Sequence, residues 1–114
     1  QMYFYGRGVK EDQKQAVAWY RKSADQGYAS AQSMLGYAFD VGAGVAQDYQ
    51  QAQNWYLLAA DQNDVDAQYN LGNMYNEGRG VERNRKEAFY WFRLAALQGD
   101  VEAKQALKEL LRAK

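Results

Sequence analysis

Gly42-Ala43-Gly44-Val45, with Trp55-Tyr56 following it, recurs at one fixed spacing on both sides. Gly6-Arg7-Gly8-Val9 stands 36 residues earlier and Gly78-Arg79-Gly80-Val81 stands 36 residues later. The aromatic pair keeps the same beat as Trp19-Tyr20, Trp55-Tyr56 and Trp91-Phe92. Self-similarity at a period of this size marks a stacked repeat, a unit that cannot bury its apolar face alone and packs against copies of itself.

Around the quoted stretch, the apolar residues fall three and four apart. Ala52, Trp55, Tyr56, Ala59 and Ala60 form a helical stripe, matched by Ala16, Trp19, Tyr20, Ser23 and Ala24 before it and by Ala88, Trp91, Phe92, Ala95 and Ala96 after it. Between these lie shorter stripes: Ala31, Leu35, Ala38 and Phe39; Ala67, Leu71, Met74 and Tyr75; Ala103, Ala106, Leu107, Leu110 and Leu111. The spacing predicts helices over about 13–26 and 29–41, then their repeats. Gly27, Asn63 and Gly99 mark tight turns, and Asp12, Asp48 and Asn84 share a position suited to an N-cap. With no proline in the chain, glycine, asparagine and aspartate make every break. Gly36 and Gly72 fall in mid-helix, at up to about 1 kcal/mol each relative to alanine, which is tolerable where a neighbouring helix crosses too closely for a Cβ.

The units read as residues 1–27, with a first helix lacking its leading half, then 28–63, 64–99 and a terminal capping helix over 100–114, where Leu107-Lys108 replaces Leu-Gly. The three tryptophans are expected in the core, and Val9, Val45 and Val81 are expected to plug its edge.

The bulk numbers narrow the function. The chain has 114 residues, net charge 0 and no histidine or cysteine. Without those residues it has no imidazole base, thiolate, disulfide or usual zinc ligand set, so neither an enzyme nor a metal or cofactor site is expected. Asp64 with Asp66, and Asp40 with Asp48, are better read as caps, first-turn charges or surface positions than as catalytic pairs. Lys and Arg are not concentrated, which argues against a nucleic-acid surface. No apolar run approaches a membrane span. Each Gly-x-Gly lacks the lysine and hydroxyl residue of a phosphate loop and is read as a structural reversal. Charge is uneven: residues 28–63 carry Asp40, Asp48 and Asp61 and no basic side chain, a net of −3.

The run Ala67-x-x-x-Leu71-Gly72-x-x-Tyr75-x-x-Gly78-x-Gly80-Val81, continued by Ala88-x-x-Trp91-Phe92-x-x-Ala95-Ala96-x-x-Gly99, resembles the signature of the Sel-one-like repeats, relatives of the tetratricopeptide repeats. The middle unit matches it through Ala31, Leu35, Gly36, Phe39, Gly42, Gly44, Val45, Ala52, Trp55, Tyr56, Ala59 and Ala60. The resemblance implies an all-α fold, an αα-hairpin repeat solenoid coiled as a right-handed superhelix. It also implies an adaptor or scaffold in protein–protein interactions, from a family with many bacterial members. Some of those carry a disulfide in each repeat, which this cysteine-free chain cannot form; cytoplasm and periplasm are both compatible.

In related repeats the first helix of each pair lines the concave side. Opposite the apolar stripes, that helix offers Ser33, Tyr37 and Asp40 in one unit and Tyr69, Asn73, Asn76 and Glu77 in the next, with Tyr5 from the shortened first unit. Aromatic side chains give contact area at low entropy cost, and amides can clamp an extended backbone. These residues are the expected peptide-binding surface, with a basic or amide-rich ligand element facing Asp40 and Glu77. The alternative is a fragment of a longer solenoid that self-associates, dimerising or stacking head to tail through Met2, Tyr3, Phe4, Trp19 and Tyr20 at its truncated end.

Overall fold

The computed structural model describes residues 7–112, with side chains from Asp12 onward. Met2, Tyr3, Phe4, Tyr5 and the side chain of Val9 lie outside the described residues. Within them the chain forms six helices and no strand: α1 (Arg7–Asp25), α2 (Ala29–Val41), α3 (Tyr49–Asp61), α4 (Val65–Glu77), α5 (Arg85–Leu97) and α6 (Val101–Arg112).

Local chemistry sets these boundaries. Asp48 is extended and accepts from the backbone N–H groups of Gln50 and Gln51, at 3.1 and 3.2 Å, opening α3. Asn84 accepts from Glu87 N–H at 3.1 Å at the equivalent place. Asp64 and Asp100 are caps as well, accepting from the backbone N–H groups of Ala67 and Ala103 at 3.0 and 2.8 Å. Gly42 and Gly78 end α2 and α4 in the left-handed conformation, at φ 75° and 70°. Asn63 takes the same conformation at φ 72°.

The first unit departs from this pattern. Helix α1 starts at Arg7, not near residue 13, so Asp12 lies inside it instead of capping it. In later units a hydrogen bond closes the Gly-x-Gly loop, from Asp48 N–H to Phe39 C=O and from Asn84 N–H to Tyr75 C=O, both at 2.9 Å. From Lys10 to Lys14 no residue breaks a helix, and the described chain continues through.

Each hairpin, α2 with α3 and α4 with α5, packs most closely within itself, and α1 and α6 flank the pair. Tyr56, Phe92, Leu35, Leu71 and Met74 are fully buried at the hairpin interfaces. A Cβ on Gly36 would lie 2.7 Å from Tyr56 Cδ1, and one on Gly72 would lie 2.5 Å from Phe92 Cδ1. Both mid-helix glycines are thus required by a ring pressed against the helix backbone. Position 108, the next in this register, carries lysine.

The three tryptophans do not share one environment. Trp91 is 8% exposed and Trp55 half-buried, but Trp19 is 68% exposed, a correction to its assignment to the core. Its helix explains this: α3 and α5 are covered by a helix on either side, whereas α1 packs on α2 alone among the described elements.

Glutamines join the units. Gln62 Nε2 donates to Gln32 Oε1 at 2.8 Å, and Gln32 Nε2 donates to Ala24 C=O at 3.2 Å. One repeat on, Gln98 Nε2 donates to Gln68 Oε1 at 2.9 Å, and Gln68 Nε2 to Ala60 C=O at 3.4 Å. Gln32 and Gln68 are buried, and the ladder satisfies amides that would otherwise destabilise the core.

Candidate functional site

Helices α2 and α4 touch each other, and no comparable contact joins α3 to α5 among the described residues. The first helices of the hairpins therefore crowd together on the inside of the curve, and their outward faces carry the expected recognition residues.

At the junction of α2 with α4 that face is already occupied. Asp40 and Ser33 are 6% and 5% exposed, so neither lines an open groove as expected from the helical projection. The projection treated α2 as packing on one side, whereas α1, α3 and α4 all press on it. Asp40 accepts from Arg79 Nε at 3.0 Å and Nη2 at 3.1 Å, a two-pronged contact, and from the Tyr56 hydroxyl at 3.1 Å. Arg79 also pairs with Glu77. The basic element expected to face Asp40 and Glu77 is thus supplied from within, by the middle residue of Gly78-Arg79-Gly80.

Electrostatics follow from this arrangement. Burial first, then the Asp40 charge and its hydrogen bond, pushes the Tyr56 hydroxyl well above the ordinary phenol range. Partial burial works against the Arg79 charge, but Asp40 and Glu77 outweigh it and hold the guanidinium more firmly protonated than in water.

Tyr37 is 49% exposed and borders a small recess of about 180 Å³ between α1 and α2, together with Tyr20. It does not line the space that Tyr69 borders. A larger cavity, about 500 Å³, lies one unit further along, between α4 and α6. Tyr69, Asn73, Asn76 and Glu77 line its α4 wall; Glu102, Gln105, Ala106, Glu109 and Leu110 line its α6 wall; Arg83 and Arg85 stand at the end near the start of α5. Four of the expected residues therefore share one space, and Ser33, Tyr37 and Asp40 do not belong to it.

Each wall is held from behind. The Tyr69 ring leans on Phe92, with centroids 5.7 Å apart. Arg83 Nε donates to Asn76 C=O at 2.7 Å, as Gln47 Nε2 donates to Asp40 C=O at 2.8 Å one repeat earlier. Gln105 Nε2 donates to Glu109 at 3.3 Å. Near the start of α4 the Asp66 carboxyl is raised above its usual range by burial, then by the charges of Asp64 and Asp100. That end of the inner surface is electronegative. Amides, a phenol and carboxylates can accept and donate hydrogen bonds and attract a cation, but they include no nucleophile paired with a base. No group of three or more metal-ligating side chains occurs among the described residues.

Sequence reading missed Arg79, Gln32 and Gln68. Arg79 could have been found by sliding the chain along its own repeat: where Asp40 has Phe4 one unit earlier, Arg79 has Ala43, so acid and base come and go together.

The architecture is that of an αα-hairpin solenoid. The Sel1 repeat family model matches residues 1–28, 29–64 and 65–100, and the chain belongs to that family, a scaffold fold that serves in protein interactions. A Sel1 repeat protein from Oxalobacter formigenes is 39% identical, with a TM-score of 0.77 over 82% of this chain and 39% of its own. A protective antigen present in uropathogenic Escherichia coli strains, displaying an SLR fold, is 41% identical, with a TM-score of 0.84 over 96% of this chain and 23% of its own. The chain therefore spans well under half the length of both. No curated protein is significantly similar to it. No helix among the described residues is long and apolar enough to cross a membrane.

Proposed function

We propose that the chain is a non-catalytic interaction module that holds an extended peptide segment in the groove between α4 and α6. One observation carries this reading: Tyr69, Asn73, Asn76 and Glu77 share a single cavity of about 500 Å³ with Glu102, Gln105 and Glu109. Asn73 and Asn76 lie three residues apart on α4, hence on one face. Each amide offers a donor and an acceptor, the pair an extended main chain needs. The Tyr69 ring gives rigid contact area beside them.

Selection of peptides from a random displayed library, followed by calorimetric titration, tests the reading. Asn73→Ala/Asn76→Ala, with its folding verified by circular dichroism, is expected to bind the selected peptides at least about tenfold more weakly. Equal binding by both proteins would overturn it.

A second reading, self-association through α1, rests on the 68% exposure of Trp19 beside Ala18 and Lys22. Lys108 stands where Gly36 and Gly72 admit an aromatic ring, so α6 of a second copy would not seat on α1 as α2 seats on α3. Pairing of α1 with α1 is the arrangement left open. Light scattering at rising concentration, with Trp19→Ala as control, tests it; a monomer at all concentrations would refute it.

A further inference from the structure

The molecule already contains one ligand-like contact on its inner face. Arg79 arrives from a glycine-flanked loop, lies against the first helix of the preceding hairpin and meets Asp40 through two nitrogens. Small residues on either side let such a loop approach a helix closely.

The next place in this register is differently made. Asp40 becomes Asn76 and Tyr56 becomes Phe92, so the seat on the α4 wall is neutral. Carboxylates appear on the opposite wall instead, at Glu102 and Glu109, two helical turns apart and roughly 10 Å along the axis. Neither pairs with a basic side chain among the described residues, whereas Glu77 is matched by Arg79. Two basic side chains, Arg83 and Arg85, also line the cavity at the end away from Glu102, and Arg83 donates to the Asn76 carbonyl. Asp64, Asp66 and Asp100 add negative charge near the Glu102 end.

Building on the groove reading above, we infer that its ligand is an extended peptide bearing a basic side chain, arginine before lysine, beside a small residue. The cation forks onto Glu102 of α6, at the end of the cavity away from Arg83 and Arg85, with Glu109 two turns on adding negative potential, and the adjoining main chain lies on Asn73 and Asn76 of α4. Arginine is preferred because its planar fork can engage a carboxylate through two parallel hydrogen bonds, as Arg79 does within the molecule. The small neighbour lets the backbone reach the asparagines past Tyr69.

The probe is a library of random seven-residue peptides displayed on phage, selected against the wild-type chain and against Glu102→Gln/Glu109→Gln. Both glutamates are exposed, so this variant keeps the fold. Enrichment of arginine or lysine at one position is expected with the wild type and absent with the variant. A selected peptide should bind the variant about tenfold more weakly, and replacing its arginine by citrulline should cost the wild type the same factor and the variant nothing. Binding to the wild type should weaken as salt rises. Peptides without a basic residue, or undiminished binding by the glutamine variant, would overturn the inference and leave the groove reading intact provided Asn73→Ala/Asn76→Ala still loses them. Peptides bound equally by the asparagine variant, or no selected peptide at all, would overturn both.

Discussion

The junction of α2 with α4 and the groove between α4 and α6 use the same repeat positions and reach opposite states. At the first, Asp40, Tyr56 and Arg79 close on one another in a buried network. At the second, Asn76 and Phe92 occupy the places of Asp40 and Tyr56, and the space remains a cavity of about 500 Å³. The replacements agree with each other, because Asn76 requires no countercharge and Phe92 has no hydroxyl to satisfy. In the first unit the set reads Phe4, Tyr20 and Ala43, with acid and arginine absent together. Equivalent positions in a repeat thus carry a buried acid–base network in one unit and neutral side chains beside an accessible cavity in the next.

The largest contrast expected lies in the core beneath both junctions. Tyr56→Ala and Phe92→Ala should each lower stability by about 3–5 kcal/mol, since both rings are fully buried against a glycine. Trp19→Ala, at the exposed member of the aromatic positions, should cost about 1 kcal/mol or less. Urea unfolding of the three variants checks this, and a Trp19 variant as unstable as Phe92→Ala would mean that α1 is covered.

A smaller difference separates the polar residues. Asp40→Asn leaves the Arg79 guanidinium half-buried without its carboxylate and should cost about 2 kcal/mol. Asn76→Asp, facing the open groove, should change stability by about 0.5 kcal/mol or less. Equal effects would contradict the assignment of one junction as closed and the other as open.

Tyr56→Phe should cost about 1 kcal/mol near neutrality, through the lost hydrogen bond to Asp40. Its sign with pH is distinctive. The folded state raises the phenol above its ordinary 10.0, so the contribution is complete below that value and is lost as pH rises above it. Wild type should therefore lose its advantage over Tyr56→Phe in alkaline unfolding experiments; a constant difference would argue against the buried phenol.

The smallest effect concerns Asp66, whose raised carboxyl makes its charge a slight penalty at neutral pH. That penalty is relieved as pH falls through the raised value toward the ordinary 3.8. Asp66→Asn should melt slightly above wild type at pH 7, the gap closing on acidification; a widening gap would place Asp66 in a favourable contact instead.

Much of the scaffold was legible because local chemistry determines it. Asp48 and Asn84 cap helices, Asn63 is left-handed, and Gly36 and Gly72 meet rings, all as their positions implied. The start of α1 was misread because the Gly-x-Gly signal was taken as a loop in every unit, although no residue from Lys10 to Lys14 breaks a helix. Asp40 was misread for a different reason: a helical projection shows one packing face, and the partner that buries Asp40 lies 39 residues away. Asn73 and Asn76 were legible as inner-face amides, since α4 has an open neighbour on that side. The buried glutamines passed unnoticed although Gln32 and Gln68, and Gln62 and Gln98, hold the 36-residue register as faithfully as the tryptophans.

The most direct measurement is an NMR titration of the isotope-labelled chain with a library-selected peptide, following side-chain amides as well as backbone. The account predicts saturable shifts at Asn73, Asn76, Tyr69 and Gln105, with Asp40, Arg79 and the α1 face around Trp19 unmoved. Shifts confined to α1, or to the outward faces of α3 and α5, would contradict it.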